Sequence, residues 1–225
     1  MDKLYFKIHR EGFVYVILFC ILTIIFLPFI TIVAIIFAIL TFFIIIFFRD
    51  PKRCVPIDDL IVSPADGVIT YIGQSTPPKE CGINEKFIKI SIFLNIINVH
   101  VNRVPTYGKV KKIKYVNGKF INATLNKSSQ DNERNIITIE KDNKDIVVVS
   151  QIAGLIARRI VCNLKINQKI IKGDRFGIIR FGSRVDLYLP NNYTVLVSVG
   201  QSVIGGETII SNPNNISQIN KTLKI

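Results

Sequence analysis

The pattern of apolar and polar positions divides the chain in two. From Phe13 to Phe48 no charged residue occurs, whereas from Arg49 onward short apolar runs alternate with polar turns. A single membrane-spanning helix needs about 20 apolar residues. The first segment is much longer than that, and Pro28 lies near its middle. Proline removes a backbone donor and crowds the preceding turn. The pattern therefore predicts two short helices, over 13–27 and 30–48, forming a hydrophobic hairpin. A signal peptide is the competing reading, but the run is too long for one and no A-x-A-like site follows it.

Residues 49–53 (Arg-Asp-Pro-Lys-Arg) read as a charged linker. Beyond them, apolar runs of strand length are separated by turn residues. Strands are predicted at 60–62, 68–72, 87–94, 98–101, 135–140, 146–152, 169–171, 177–181, 185–189 and 194–199. Asp142-Asn143 reads as a hairpin turn. Only 152–161 carries a helical period. The Asn- and Ser-rich tail after Ile210 predicts loose order. The expected fold is mainly β, a sandwich- or barrel-like domain over 51–225, with the N-terminal hydrophobic helical hairpin over 1–50.

Composition sharpens this picture. The chain has 225 residues, 49% of them hydrophobic, and the hairpin accounts for the excess. The net charge is +13, from 29 Lys and Arg against 16 Asp and Glu. Such a balance suits nucleic acid, an anionic membrane or neither. No Arg-rich run with interleaved aromatics favours nucleic acid, and the apolar segment favours the membrane. Lys3, Lys7 and Arg10 precede the hairpin, and Arg49, Lys52 and Arg53 follow it. Basic flanks prefer the cytoplasmic side, and both satisfy that preference only if the chain returns to the side it left. The expected location is the cytoplasmic face of the cell membrane. The four cysteines show no C-x-x-C spacing and there are two histidines, so neither a disulfide framework nor a metal centre is expected.

Four segments could carry chemistry. Ser63-Pro64-Ala65-Asp66-Gly67 has the composition of a turn, in which Asp bonds nearby backbone. The run 91–105 holds His100, the only histidine after the hairpin. A histidine in an apolar run is commonly a satisfied core residue, yet its pKa suits proton transfer. Arg180-Phe181-Gly182-Ser183-Arg184-Val185-Asp186 places Gly-Ser between strand-like runs. That pair is usually a bulge, although a serine after glycine can attack the uncrowded carbonyl before it. Gly205-Gly206-Glu207-Thr208 reads as a glycine turn or an anion-binding nest.

Taken in this order, these segments resemble the phosphatidylserine decarboxylase family, in its short bacterial and archaeal branch. The resemblance rests on S-P-A-D-G at 63–67, S-I-F-L-N-I-I-N-V-H-V-N-R-V-P at 91–105, Q-I-A-G-L-I-A-R-R-I-V at 151–161, R-F-G-S-R-V-D at 180–186 and G-G-E-T at 205–208. It implies a proenzyme that cleaves itself between Gly182 and Ser183. Residues 1–182 become the β chain and 183–225 the α chain, which stay together as a heterodimer and could assemble further. Ser183 becomes a pyruvoyl group, so no external cofactor and no metal is expected. The implied reaction decarboxylates phosphatidylserine in the membrane through a Schiff base with that group, giving phosphatidylethanolamine and CO2. His100 is implied as an acid–base group and Asp66 as an aid to self-cleavage. Arg103, Arg180 and Arg184 are candidates for holding the substrate carboxylate or phosphate.

Two features depart from the long form of the family. That form carries L-G-S-T at the cut, where this chain has F-G-S-R, and a second histidine where this chain has Arg103. His100 then serves both steps, or another group activates Ser183. Two alternatives stay open: a membrane-tethered, non-catalytic β module that binds lipid or a partner, and a related decarboxylase of another serine-headed lipid.

Overall fold

The computed structural model describes residues 6–118, 131–154, 159–180 and 183–213. The chain enters through strand β1 (Phe6–Ile8), forms helices α1 (Arg10–Phe26) and α2 (Thr31–Phe47), and leaves through β2 (Arg49–Pro51). The two helices are those expected from the pattern, with Pro28 in the turn between them. β1 and β2 pair antiparallel, so both feet of the hairpin are tied to each other. His9 caps α1, accepting from the Glu11 N–H. Gly12 lies so close to the second foot that a Cβ there would meet Phe48 at 2.6 Å. Neither helix is long and apolar enough to cross a membrane. Large apolar side chains nevertheless point outward along both, and Phe29 in the turn is 79% exposed.

The rest is mainly β. In chain order come β3 (Ile61–Val62), β4 (Gly67–Ser75), β5 (Phe87–Leu94), β6 (Val101–Arg103) and β7 (Gly108–Val116). β8 (Arg134–Glu140), β9 (Ile146–Ala153), β10 (Ile160–Cys162) and β11 (Lys169–Ile170) follow. The last are β12 (Arg175–Ile179), β13 (Ser183–Leu189), β14 (Thr194–Val195), β15 (Ser202–Val203) and β16 (Ile209–Asn212). Eight strands form one open, curled sheet in the order β11-β7-β8-β9-β13-β5-β4-β15. Two three-stranded sheets, β10-β12-β6 and β14-β16-β3, accompany it. The main core lies between them, filled by residues such as Ile69, Ile92, Val149, Val185, Leu187, Phe176 and Ile179. Strand alternation sends Val185, Leu187 and Leu189 into this core, and Tyr188 into a smaller cluster on the other face with Phe87, Ile136 and Val148.

The expected strand at 98–101 starts later, at Val101. The Asn95 N–H bonds the Asn98 side chain at 2.7 Å and the Asn98 N–H bonds Asn95 O at 2.9 Å, which curls 95–98 into a turn. The helical period at 152–161 does not give a helix where the chain is described. Ile152 and Ala153 belong to β9, and Ile160 and Val161 to β10. Residues 155–158 of that run, and the tail from 214, lie outside the described residues.

A buried amide chain joins the large sheet to the β10-β12-β6 sheet. Asn135 donates to Gln151 Oε1 at 2.9 Å, and Gln151 donates to Asn102 Oδ1 at 2.8 Å. The seam admits no side chain at Gly177, where a Cβ would stand 2.0 Å from Val161 O and 3.1 Å from Gln151 Nε2. Gly177→Ala should therefore force backbone apart and lower stability by about 1–3 kcal/mol. Thermal unfolding of the purified variant measures this.

Candidate active site

Ser183 opens β13, a central strand. It pairs with Leu94 at the end of β5 on one side and with Ala153 at the end of β9 on the other. Phe93 is the register partner of both Arg184 and Val68, so the start of β4 lies at this same end of the sheet. Neighbouring strands are about 4.8 Å apart, which brings Gly67 and Ser183 within about 10 Å of each other. Gly67 is required at its position, since a Cβ would lie 2.2 Å from Phe93 O. Ser183 is fully buried, and its Oγ has no hydrogen-bond partner among the described residues. Gly182, the other half of the expected cut, lies outside those residues.

The 63–67 turn is shaped by its own side chains and by two other motifs. Ser63 Oγ donates to Ala65 O at 2.6 Å. The Ser63 N–H bonds Thr208 O at 2.8 Å, the Gly206 N–H bonds Ser63 O at 2.8 Å, and the Arg103 N–H bonds Pro64 O at 2.9 Å. Segments 63–67, 100–105 and 205–208 thus converge. The Asp66 carboxylate accepts from Arg53 Nη2 at 2.8 Å and from the Gly205 N–H at 2.8 Å. Burial pushes this carboxyl above its ordinary value, while Arg53, the Gly205 N–H and Arg49 oppose the shift. Neither His100 nor Ser183 is among the hydrogen-bond partners that Asp66 has in the described residues.

His100 is fully buried just before β6. Its Nδ1 lies 2.9 Å from Asn98 O. A carbonyl can only accept, so Nδ1 carries the proton and Nε2 keeps its lone pair. Nε2 has no hydrogen-bond partner among the described residues. The imidazole pKa is lowered to about 4, chiefly by desolvation and also by Arg49, with the bond to Asn98 opposing the shift. Phe47, the last residue of α2, stacks on the ring with centroids 4.0 Å apart. Arg49 acts electrostatically on both His100 and Asp66, so these two groups share one charged neighbour.

The three arginines singled out from the sequence each hold a carboxylate of their own chain. Arg103 Nη2 donates to Asp50 Oδ1 at 3.0 Å and to Pro51 O at 2.8 Å, and its Nη1 to Gly173 O at 2.9 Å. Arg180 binds Glu11, and donates to Tyr15 Oη at 2.9 Å. Arg184 pairs with Asp186 at 2.9 Å, and Asp186 also meets Lys89 at 3.0 Å. Arg103 and Arg180 therefore fasten the foot of the hairpin to the sheets. Arg53, Asp50 and Phe47 stand in the sequence as a basic flank, a linker residue and an apolar helix residue, with no mark of a place at the site. The linker 49–53 is in fact a layer of the site, and the only signal available was the density of charge there. Among the described residues, no three His, Cys, Asp or Glu side chains converge as metal ligands.

The model of the family described as phosphatidylserine decarboxylase matches residues 40–211. The phosphatidylserine decarboxylase proenzyme of Rickettsia typhi is 49% identical over 212 residues, covering 93% of this chain and 92% of that protein. Those of Rickettsia akari and Rickettsia felis are each 50% identical over the same length, with the same coverage. The matched region contains all the segments that meet at the end of the sheet. The chain belongs to the phosphatidylserine decarboxylase family.

Proposed function

We propose that the chain converts phosphatidylserine to phosphatidylethanolamine and CO2 with a pyruvoyl group made from its own Ser183. The observation that carries the assignment of the residue is the buried Ser183 Oγ at the head of β13, which has no hydrogen-bond partner among the described residues. A structural serine buried this deeply would bond a neighbour, because an unsatisfied hydroxyl is costly. In self-cleavage, Ser183 Oγ attacks the Gly182 carbonyl carbon. The C–N bond breaks as the ester forms, and the nitrogen gains the hydroxyl proton. Loss of the Ser183 Cα proton then expels the Gly182 carboxylate from Cβ. Tautomerisation and one water release ammonia and leave the ketone. Chain 1–182 would end in an ordinary carboxylate, and chain 183–225 would begin with the new group. The ladders from β13 to β5 and β9 support continued association of the two chains.

The ketone supplies an electron sink for an amino acid that loses its carboxylate. The chain's own residues would handle the protons. His100 is neutral at physiological pH, and its Nε2, without a partner among the described residues, suits it to accept a proton and return it. Asp66, with its carboxyl raised by burial, is assigned to the self-cleavage step. The carboxylate partners of Arg103, Arg180 and Arg184 support holding the fold together, and no headgroup contact is assigned to them.

The hairpin places the site at a bilayer in this proposal. Each helix has 17 residues, which is about 26 Å at ~1.5 Å per residue and short of a ~30 Å hydrocarbon core. Its outward apolar side chains suit a hairpin that enters one leaflet and returns. The basic flanks favour the cytoplasmic leaflet.

Three outcomes test this reading. Intact-mass spectrometry should find two chains, 1–182 and 183–225, the second lacking an amine at its start, whereas Ser183→Ala stays at 25.5 kDa. An unbroken wild-type chain would sink the proposal. His100→Gln in already cleaved enzyme should lower turnover on phosphatidylserine vesicles by about 10²- to 10⁴-fold. Because burial lowers the His100 pKa to about 4, turnover should persist as pH falls below the usual histidine value and collapse only near 4. A pH–rate profile with its acid limb at 6.5 would contradict that assignment.

A further inference from the structure

The hairpin and the site are not separate devices. α2 ends in a compact cluster of Ile44, Phe47 and Phe48 with Val99, Val101 and Ile178, and Tyr15, Val16, Phe19, Phe43 and Val161 pack around it. His100 lies between two members of that cluster, Val99 and Val101. Phe47 has no exposed surface, and its ring stacks on the imidazole at 4.0 Å with an interplanar angle of 29°. The other fixed point on the imidazole is Asn98 O at Nδ1. One hydrogen bond leaves a ring free to turn about that bond, whereas a stacked aromatic face sets its plane. Nε2, which has no partner among the described residues, then has a fixed direction.

We infer that Phe47 is a positioning residue for His100: the last residue of the membrane hairpin sets the plane of the imidazole and seals it from water. This rests on the acid–base role proposed for His100. The surroundings are otherwise poor in charge. β6 and β12 present Val101 and Ile178, the hairpin presents Phe47 and Phe48, and Arg49 is the charged group that acts on the ring. Removing the ring of Phe47 admits water to an imidazole kept neutral chiefly by desolvation. The docked hairpin is therefore a wall of the site as well as an anchor.

The chain has two histidines, so imidazole ¹⁵N signals of the whole protein in detergent micelles separate cleanly, and His9→Gln assigns them. In the wild type, His100 should remain in the Nδ1–H form and neutral down to about pH 4. In Phe47→Leu its titration should rise toward the ordinary 6.5 and the tautomer should become mixed. The acid limb of turnover should move up with it. Phe47→Tyr, which keeps the stacked face, should restore both. Phe43→Leu loosens the same aromatic cluster, in which Phe43 and Phe47 are 6.3 Å apart, and should leave the His100 signal in place. If Phe47→Leu does not fold, Phe47→Met keeps the bulk and should move the signal in the same direction. An unchanged His100 titration in a folded Phe47 variant overturns the inference. So does an equal shift in Phe43→Leu, which would make the effect one of general packing. Failure of the catalytic reading shows separately, as full turnover in His100→Gln with the Phe47 effect on any remaining imidazole signal irrelevant to it.

Discussion

The constraint on which this structure depends is the double ladder that holds β13. Seven residues from Ser183 to Leu189 pair with β5 on one side, and six of them with β9 on the other. Backbone pairing of this kind is insensitive to what happens to the peptide link before its first residue. From Arg184 onward it holds the strand against β5 and β9 whether or not position 182 remains attached. The alternation of the strand then directs Val185, Leu187 and Leu189 inward, so burial of the core holds the same segment a second time. A chain can be cut at the head of such a strand without losing the strand.

Charge plays a different part. Three largely buried ion pairs lie at joints between elements. Arg103 with Asp50 joins β6 to β2, Arg180 with Glu11 joins the end of β12 to α1, and Arg53 with Asp66 joins the linker to the 63–67 turn. Removing one partner of such a pair strands the other charge, so these contacts specify geometry more than they add net stability. They also explain why a basic chain has so many cations engaged within itself near the site.

The broad architecture was legible in the sequence because it rests on periodicity. The hairpin, the central strands at 87–94, 135–140, 146–152 and 185–189, and the Asp142-Asn143 turn all follow from local pattern. β7 did not, because four of its nine residues are lysines and a bulge between Val110 and Lys112 breaks the alternation. The small strands β15 and β16 are two and four residues long, too short to leave a period. The site was legible as motifs but not as geometry. Nothing local to S-P-A-D-G announces Arg53 as the partner of Asp66, and nothing in an apolar helix marks Phe47 as the residue that meets His100. Both contacts depend on how the hairpin foot folds back, which is a long-range event. The partners of Arg103 and Arg180 were hidden for the same reason: Asp50 is 53 positions from Arg103, and Glu11 is 169 positions from Arg180.

The clasp between β1 and β2 bears on mechanics. A helical hairpin joined to a domain by one flexible strand would swing and twist freely. Here both feet of the hairpin are stitched together, and Arg180 and Arg103 rivet them to the body. The joint therefore behaves as a stiff bracket rather than a leash. It fixes the angle at which the two helices leave the body, and with it the position of Phe47 against His100.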